Sequence, residues 1–443
     1  MTRRHGYALL TAIVALIVVV SAAIYAGIAS GTGRLADAPA TGRASGHSAA
    51  PASSGTWVAT WATSPAAAEP GTALNGMAGR SVRNVVHTSV AGTSARITLS
   101  NLYGQAPLYV THASIAVAAG DATAAAVTRT MRRLTFAGAP SVVVPAGGHV
   151  MSDSVRIAVP RGGDVLVTTY SPTPSGPVTY HPYARQISYV AQGDRTEDVT
   201  GAPYTERTTV WRYLTALDVL SDEAEGTVVV LGDSITDGVT STVGADRRWT
   251  DVLSGRLWAA VEEDRDVPRY SVVNEGISGN QVLADRLGRP ADNPSGLNRF
   301  ERDVLERTGA KVVVIELGVN DILRNPRLAD PQQITGGLRT LVTRAHARGL
   351  KVVGATLMPF EGHRGYTPAR DAVRQQVNAE IRSGRVFDAV VDFDRALRDP
   401  YAPRRLRGEY DSGDHLHPSD LGYREMAEVF ELGLLKKAGQ AQL

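Results

Sequence analysis

Residues 228–238 read VVVLGDSITDG. An apolar run enters Gly232-Asp233-Ser234, and the chain then turns polar. A short continuous apolar run bounded by turn residues predicts a strand buried on both faces. Asp and Ser directly after it predict a turn that caps a following helix. Taken alone, Ser234 is either such a capping residue or a nucleophile exposed at the carboxyl end of a strand, and the rest of the chain has to decide between them.

Downstream the same texture recurs. YSVVN (270–274), KVVVIEL (311–317), KVVGATL (351–357) and VFDAVVDF (386–393) read as buried strands. Helical stretches such as RWTDVLSGRLWAAVEE and ITGGLRTLVTRAHARG separate them, and a last helix follows Pro418. Strands of this kind alternating with helices predict a parallel sheet covered on both faces, with its ligand site at the carboxyl ends of the strands. This α/β unit is assigned to 226–443. Upstream, 57–225 consists of short extended segments between turn residues. SARITLSNL alternates as a half-buried strand does, and SVVVPAGG, SVRIAVPRGG and DVLVTTYSPTPSG follow at short intervals. An all-β domain of sandwich or jelly-roll type is expected there, joined to the α/β unit through the polar stretch SDEAEG.

Residues 31–56 are small and polar with Pro and Gly, the composition of a flexible linker. The first residues are basic, and Gly6 to Gly33 carries no charged side chain. Segment 1–30 therefore reads as a signal peptide or a signal anchor. The apolar run 7–28 is long enough to span a bilayer, so both stay open. In either case the remainder of the chain is expected outside the cytoplasmic membrane, secreted or anchored to its outer face.

Composition narrows the chemistry. The chain has no cysteine among its 443 residues, which excludes disulfides, thiolate catalysis and cysteine-ligated metals. A formal charge of +2 with dispersed Lys and Arg gives no basic block for nucleic acid.

Polar clusters fall just after the predicted strands or before the last helix: Gly232-Asp233-Ser234, NEGISGN (274–280), GVND (318–321) and DSGDHLHPSD (411–420). A serine needs a base and donors for the developing oxyanion. His417 can be that base, and Asp414, three residues earlier, can fix its tautomer. Gly279 can offer an unobstructed backbone N–H and Asn320 an amide N–H, beside the N–H of Ser234 itself. The same cluster contains rivals. Asp411 could orient an imidazole, His415 could be the base, and His-x-His with nearby aspartates could ligate a metal. The Asp414–His417 spacing favours the triad, and Pro418 suits the first turn of the last helix.

The order GDS, NEGISGN, GVND and DHLH resembles the four blocks of the SGNH (GDSL-type) hydrolases, over about Thr227 to the end. The resemblance implies a flavodoxin-like three-layer fold and serine esterase or lipase activity. Ser234, Asp414 and His417 would be the triad, with Ser234, Gly279 and Asn320 as the oxyanion hole and no cofactor or metal. A β-rich first half before such a domain also resembles exported bacterial members, some acting on acylated polysaccharides. The expected function is hydrolysis of carboxylic esters through an acyl-enzyme, removing short acyl groups from a carbohydrate or glycoside. A small-molecule or polysaccharide ester is the expected partner. The alternatives are a lipase or phospholipase, an acyltransferase, and an inactive cell-surface binding module.

Other residues read structurally. Asp233 and Asp237 are expected to cap backbone groups, Trp249 and Trp258 to pack in cores, and His346 to sit at a helix C-terminus. His363 and Glu361 lie on a loop at the active edge. Tyr103, Tyr109, Tyr170, Tyr180, Tyr183 and Tyr189 could stack on sugars or pack on their sheets, and the β half could serve as a wall for the catalytic cleft.

Overall fold

The computed structural model describes residues 55–288 and 290–436. The predicted signal segment 1–30 and the linker to residue 54 lie outside them. Among the described residues no helix is long and apolar enough to cross a membrane.

The opening stretch forms β1 (Gly226–Gly232), buried at every position. On one side it pairs in parallel with β2 (Tyr270–Gly276) and on the other with β3 (Ala310–Glu316). Beyond β3 follow β4 (Lys351–Ala355) and β5 (Ala389–Val391), also parallel. The order β2-β1-β3-β4-β5 is the flavodoxin-like winding, which reverses direction next to β1 and opens a crevice at the carboxyl ends. Strand alternation sends Val229, Leu231, Val313 and Ile315 to one face, where Leu338, Leu341, Val377 and Ile381 cover them. Val228, Val230, Val312 and Val314 go to the other, against Trp249, Leu253, Leu257 and Met426. This makes three layers.

The last apolar run forms less strand than expected. Within VFDAVVDF only Ala389–Val391 pairs. Phe387 lies over Gly354 of β4, and Asp392 caps a short helix from Phe393 by accepting from Arg395 N. An edge strand with one neighbour ends where its flanks find better partners.

Upstream of β1 the chain is mostly antiparallel strand. One sheet runs Thr56–Ala62, Leu214–Ser221, Gly92–Ser100, Val155–Val159, and a second centres on Ser188–Gln192, Arg80–His87, Asp164–Ser171 and His112–Val117. Along SARITLSNL, Ala95, Ile97 and Leu99 are buried while Arg96 and Thr98 are half-buried, as period-two burial requires. Ile97, Leu99, Leu217 and Val219 share a core with Val82, Val86, Val165 and Val167 of the second sheet.

The described residues form one compact unit, and the contacts across it are intimate. Ala59, Ala62 and Ala216 of the first sheet pack into the α/β core. Trp258 of α2 (Trp249–Glu262) packs into the sandwich core. Arg299, fully buried, donates to Ser64 Oγ, to the carbonyls of Gly232 and Glu275, and to Asp303. Its charge is balanced inside by Asp303, which matters because an unpaired buried guanidinium would cost several kcal/mol.

Candidate active site

β1 ends at Gly232, and one turn of helix, α1 (Ser234–Asp237), begins at once. Asp233 caps it by accepting from Ile235 N at 3.0 Å, and Gly238 closes it in the left-handed region at φ 87°. The turn sits tightly on β2, since a Cβ on Gly276 would lie 2.3 Å from Asp237 N. Ser234 thus stands at the carboxyl end of β1, an interior strand of the sheet, 6% exposed.

His417 Nε2 lies 2.8 Å from Ser234 Oγ, and His417 Nδ1 lies 2.5 Å from Asp414 Oδ2. The other oxygen of Asp414 accepts from the backbone N–H groups of Leu416 and His417 at 3.0 and 2.8 Å. Burial alone would raise the Asp414 carboxyl, but these hydrogen bonds hold it well below the usual carboxylate range. The rivals are engaged with each other: Asp411 Oδ2 meets His415 Nδ1 at 2.6 Å, and His415 is half-exposed in the left-handed region at φ 63°. Pro418 stands one position before the cap of the last helix, not in its first turn. Ser419 is the cap, accepting from Gly422 N. Pro418 acts instead through its carbonyl, which accepts from Thr240 Oγ1 at 2.7 Å.

Ser234, Gly279, Asn320 and His417 line one cleft of about 640 Å³. Among the described residues neither Ser234 N nor Gly279 N donates to a protein acceptor. Gly279 has φ 76°, a conformation that other residues enter at a cost. Asn320 Nδ2 donates to Asp233 Oδ2 at 3.1 Å, and its Oδ1 accepts from Arg324 Nε at 3.2 Å. One amide proton is therefore fixed by Asp233, which orients the group and leaves the second for a ligand. Asp233 is fully buried, and burial pushes its carboxyl up to about 7 against the pull of Ile235 N and His417. Glu316 beside it is also held well above the ordinary carboxylate range by burial and by the Asp233 charge.

Sequence reasoning missed a second set. Asp237 does more than cap: its Oδ2 accepts from Ser278 N at 2.9 Å and Ser278 Oγ at 2.6 Å, while Oδ1 meets His181 Nε2 at 2.9 Å. His181 Nδ1 faces the Ser64 carbonyl at 2.9 Å, and both side chains are 3% exposed. The residue before Gly279 is thus tied to the helix that carries Ser234 and, through it, to a histidine of the β half. No spacing in the sequence signals a contact between positions 181 and 237.

The β half also walls the cleft. Ala66, Ala67, Ala68, Pro70, Tyr180 and Tyr183 line it, as does His363, whose imidazole burial keeps below its ordinary range. Glu361 pairs with Arg405. His346 meets Asp388, and Trp249 is wholly buried. Tyr103 and Tyr189 are buried, while Tyr109 is exposed.

Residues 230–425 match the model of the GDSL-like lipase/acylhydrolase family. Among solved structures, a lipolytic protein of the G-D-S-L family from Desulfitobacterium hafniense is 20% identical, covering 46% of this chain and 96% of its own, with a TM-score of 0.34. An acylhydrolase from Bacteroides fragilis is 21% identical over 48% and 88%, TM-score 0.35. The acetylxylan esterase Axe2 from Geobacillus stearothermophilus is 22% identical over 48% and 96%, TM-score 0.35. No curated protein matches the chain.

Proposed function

We propose that this chain, whose residues 230–425 are a domain of the GDSL-like lipase/acylhydrolase family, hydrolyses carboxylic esters with Ser234 as nucleophile. The observation that carries the reading is the chain of hydrogen bonds from Ser234 Oγ through His417 to Asp414, opening on a cleft with unused N–H donors. Ser234 Oγ attacks the ester carbonyl as His417 Nε2 takes its proton. Asp414 holds Nδ1–H and stabilises the imidazolium. The carbonyl oxygen, now negative, is received by Ser234 N–H, Gly279 N–H and the free amide proton of Asn320. His417 passes its proton to the leaving alcohol, and water, deprotonated by the same imidazole, releases the acid. The residues suffice for this chemistry without a metal or organic cofactor.

Labelling by a fluorophosphonate probe tests the assignment. Wild type should label at Ser234 and Ser234→Ala should not, while kcat of the variant falls by about 10³-fold or more. A variant that keeps normal ester turnover would sink the assignment. An unlabelled wild type would favour an inactive binding module.

Within this class we infer short acyl groups on a carbohydrate or glycoside. The β half supports it by lining the cleft with Tyr180 and Tyr183, side chains suited to sugar faces. A panel of esters graded in chain length, with acetylated sugars, separates this from lipase action, and product analysis with a competing alcohol separates it from acyl transfer. The basic start and apolar run 7–28 support a place outside the cytoplasmic membrane, which fractionation of cells checks.

A further inference from the structure

The esterase reading leaves part of the cleft without a task. Arg286, Arg324 and Arg364 line the same space as Ser234 and His417. None of the three has a carboxylate partner among the described residues. Several buried or half-buried arginines elsewhere are matched to carboxylates: Arg374 with Asp371 and Asp394, Arg299 and Arg302 with Asp303, Arg382 with Asp392.

Arg324 is the best fixed of the three. Its Nε donates to Asn320 Oδ1, and its Nη2 lies 2.2 Å from where a Cβ on Gly279 would stand. The guanidinium therefore lies against two of the groups that receive the carbonyl oxygen. Burial first, then the charge of Arg286, hold Arg324 below the ordinary arginine range; buried Asp233 opposes this and Arg364 adds to it, so the three cations act on one space. The acids lining or bordering that space are few. Asp292 lines it, while Asp414 is occupied by His417 and two backbone donors. Three cations facing fewer acids repel, and a ligand that brings further negative charge relieves the repulsion. A guanidinium fork suits a carboxylate or a phosphate.

We propose that the cleft selects an ester carrying an oxyanion group, a carboxylate or a phosphate, which Arg324, Arg286 and Arg364 receive beside the reacting carbonyl. This rests on the esterase reading and narrows its substrate.

Acetylated methyl glucoside, its glucuronide and its 6-phosphate differ only in the group at carbon 6, neutral in the first and anionic in the other two. Wild type should show kcat/KM about 10-fold or more higher for an acidic sugar than for the neutral one at low salt, and the preference should shrink as salt screens it. Which acid gains more distinguishes carboxylate from phosphate. Arg286→Gln and Arg364→Gln, both at exposed positions, should each lower the preference several-fold, and the double variant should bring it near one. A wild-type preference of one or less, or a preference unchanged in the double variant, overturns the proposal. Turnover of an aryl acetate reports separately on the esterase reading. If wild type turns over no ester, calorimetric titration with inorganic phosphate still decides: binding that the double variant loses supports the anion site, and equal heats in both overturn it.

Discussion

Asp237→Ala isolates the tie between the helix that carries Ser234, the proposed nucleophile, and the loop that presents Gly279. The substitution removes hydrogen bonds from Ser278 N, Ser278 Oγ and His181 Nε2. Bonds to a charged acceptor contribute about 1.5–3 kcal/mol each, so a dry site would lose far more than a typical mutation costs. The site is not sealed, however: His181 and Asp237 line a neighbouring cavity of about 300 Å³, and water entering there can take over part of the bonding. A stability loss of about 2–4 kcal/mol follows. The catalytic effect is larger. With Ser278 released, Gly279 N–H leaves its station, and losing one oxyanion donor costs about 10²–10³-fold in kcat. Asp237→Asn separates hydrogen bonding from charge. Its oxygen can accept from Ser278, and its amide can donate to His181 Nε2 while Nδ1–H stays on the Ser64 carbonyl. That variant should recover kcat to within about 10-fold of wild type. The assays are initial rates on a chromogenic ester and thermal melting. Asp237→Ala with kcat within about 3-fold of wild type refutes the anchoring role. An Asn variant as slow as the Ala variant refutes the hydrogen-bonding account of it.

The two Asp–His pairs of the last loop should separate kinetically: Asp414→Ala lowers kcat by about 10³–10⁴-fold, whereas Asp411→Ala, which touches His415, stays within a few-fold of wild type. His87 gives a pH signature. Burial opposes its protonation, but the bond to Asp164 and the charges of Asp246 and Asp251 raise it to about 9. A folded value above the unfolded one stabilises fully below about pH 6.5 and is lost as pH rises through 9. His87→Gln should flatten the fall in melting temperature between pH 6.5 and 9.5, removing at most about 3 kcal/mol of pH-dependent stability. An unchanged slope counts against the linkage. Trp258→Ala should cost about 3–5 kcal/mol, because this α2 side chain is buried in the sandwich core. A loss under about 1 kcal/mol in denaturant unfolding would show that the contact is not energetically coupled.

Much of the architecture was legible because it rests on local pattern. β1 to β4 announce themselves as apolar runs, and period-two alternation marks Gly92–Ser100. The pairing of Asp414 with His417 was legible for a similar reason: three residues on one loop leave few alternatives. What escaped depends on contacts that no spacing encodes. VFDAVVDF reads as a full strand, but Phe387 packs over Gly354 and only Ala389–Val391 pairs. Asp237 could not be told from an ordinary cap before His181 arrived from the other half. The arginines read as dispersed charge, although Arg324 stands one helical turn after Asn320. The 1–30 assignment and all but the last two residues of the 31–56 linker concern residues outside those described, and Thr56 already starts a strand.

The strand Thr56–Ala62 has a consequence for anyone who would dissect this chain. It pairs with Leu214–Ser221, yet Ala59 N donates to Thr308 O and Ala59 and Ala62 belong to the α/β core. A cut at residue 226 looks natural in sequence but would unzip the hydrolase from its own back wall. It would strip Ser64 from Arg299 and His181 from Asp237. The polar joint is a place where the chain is easy to cross, whereas the fold has its seam nowhere near it. A catalytic fragment made there would need replacements for groups that residues 55–225 supply.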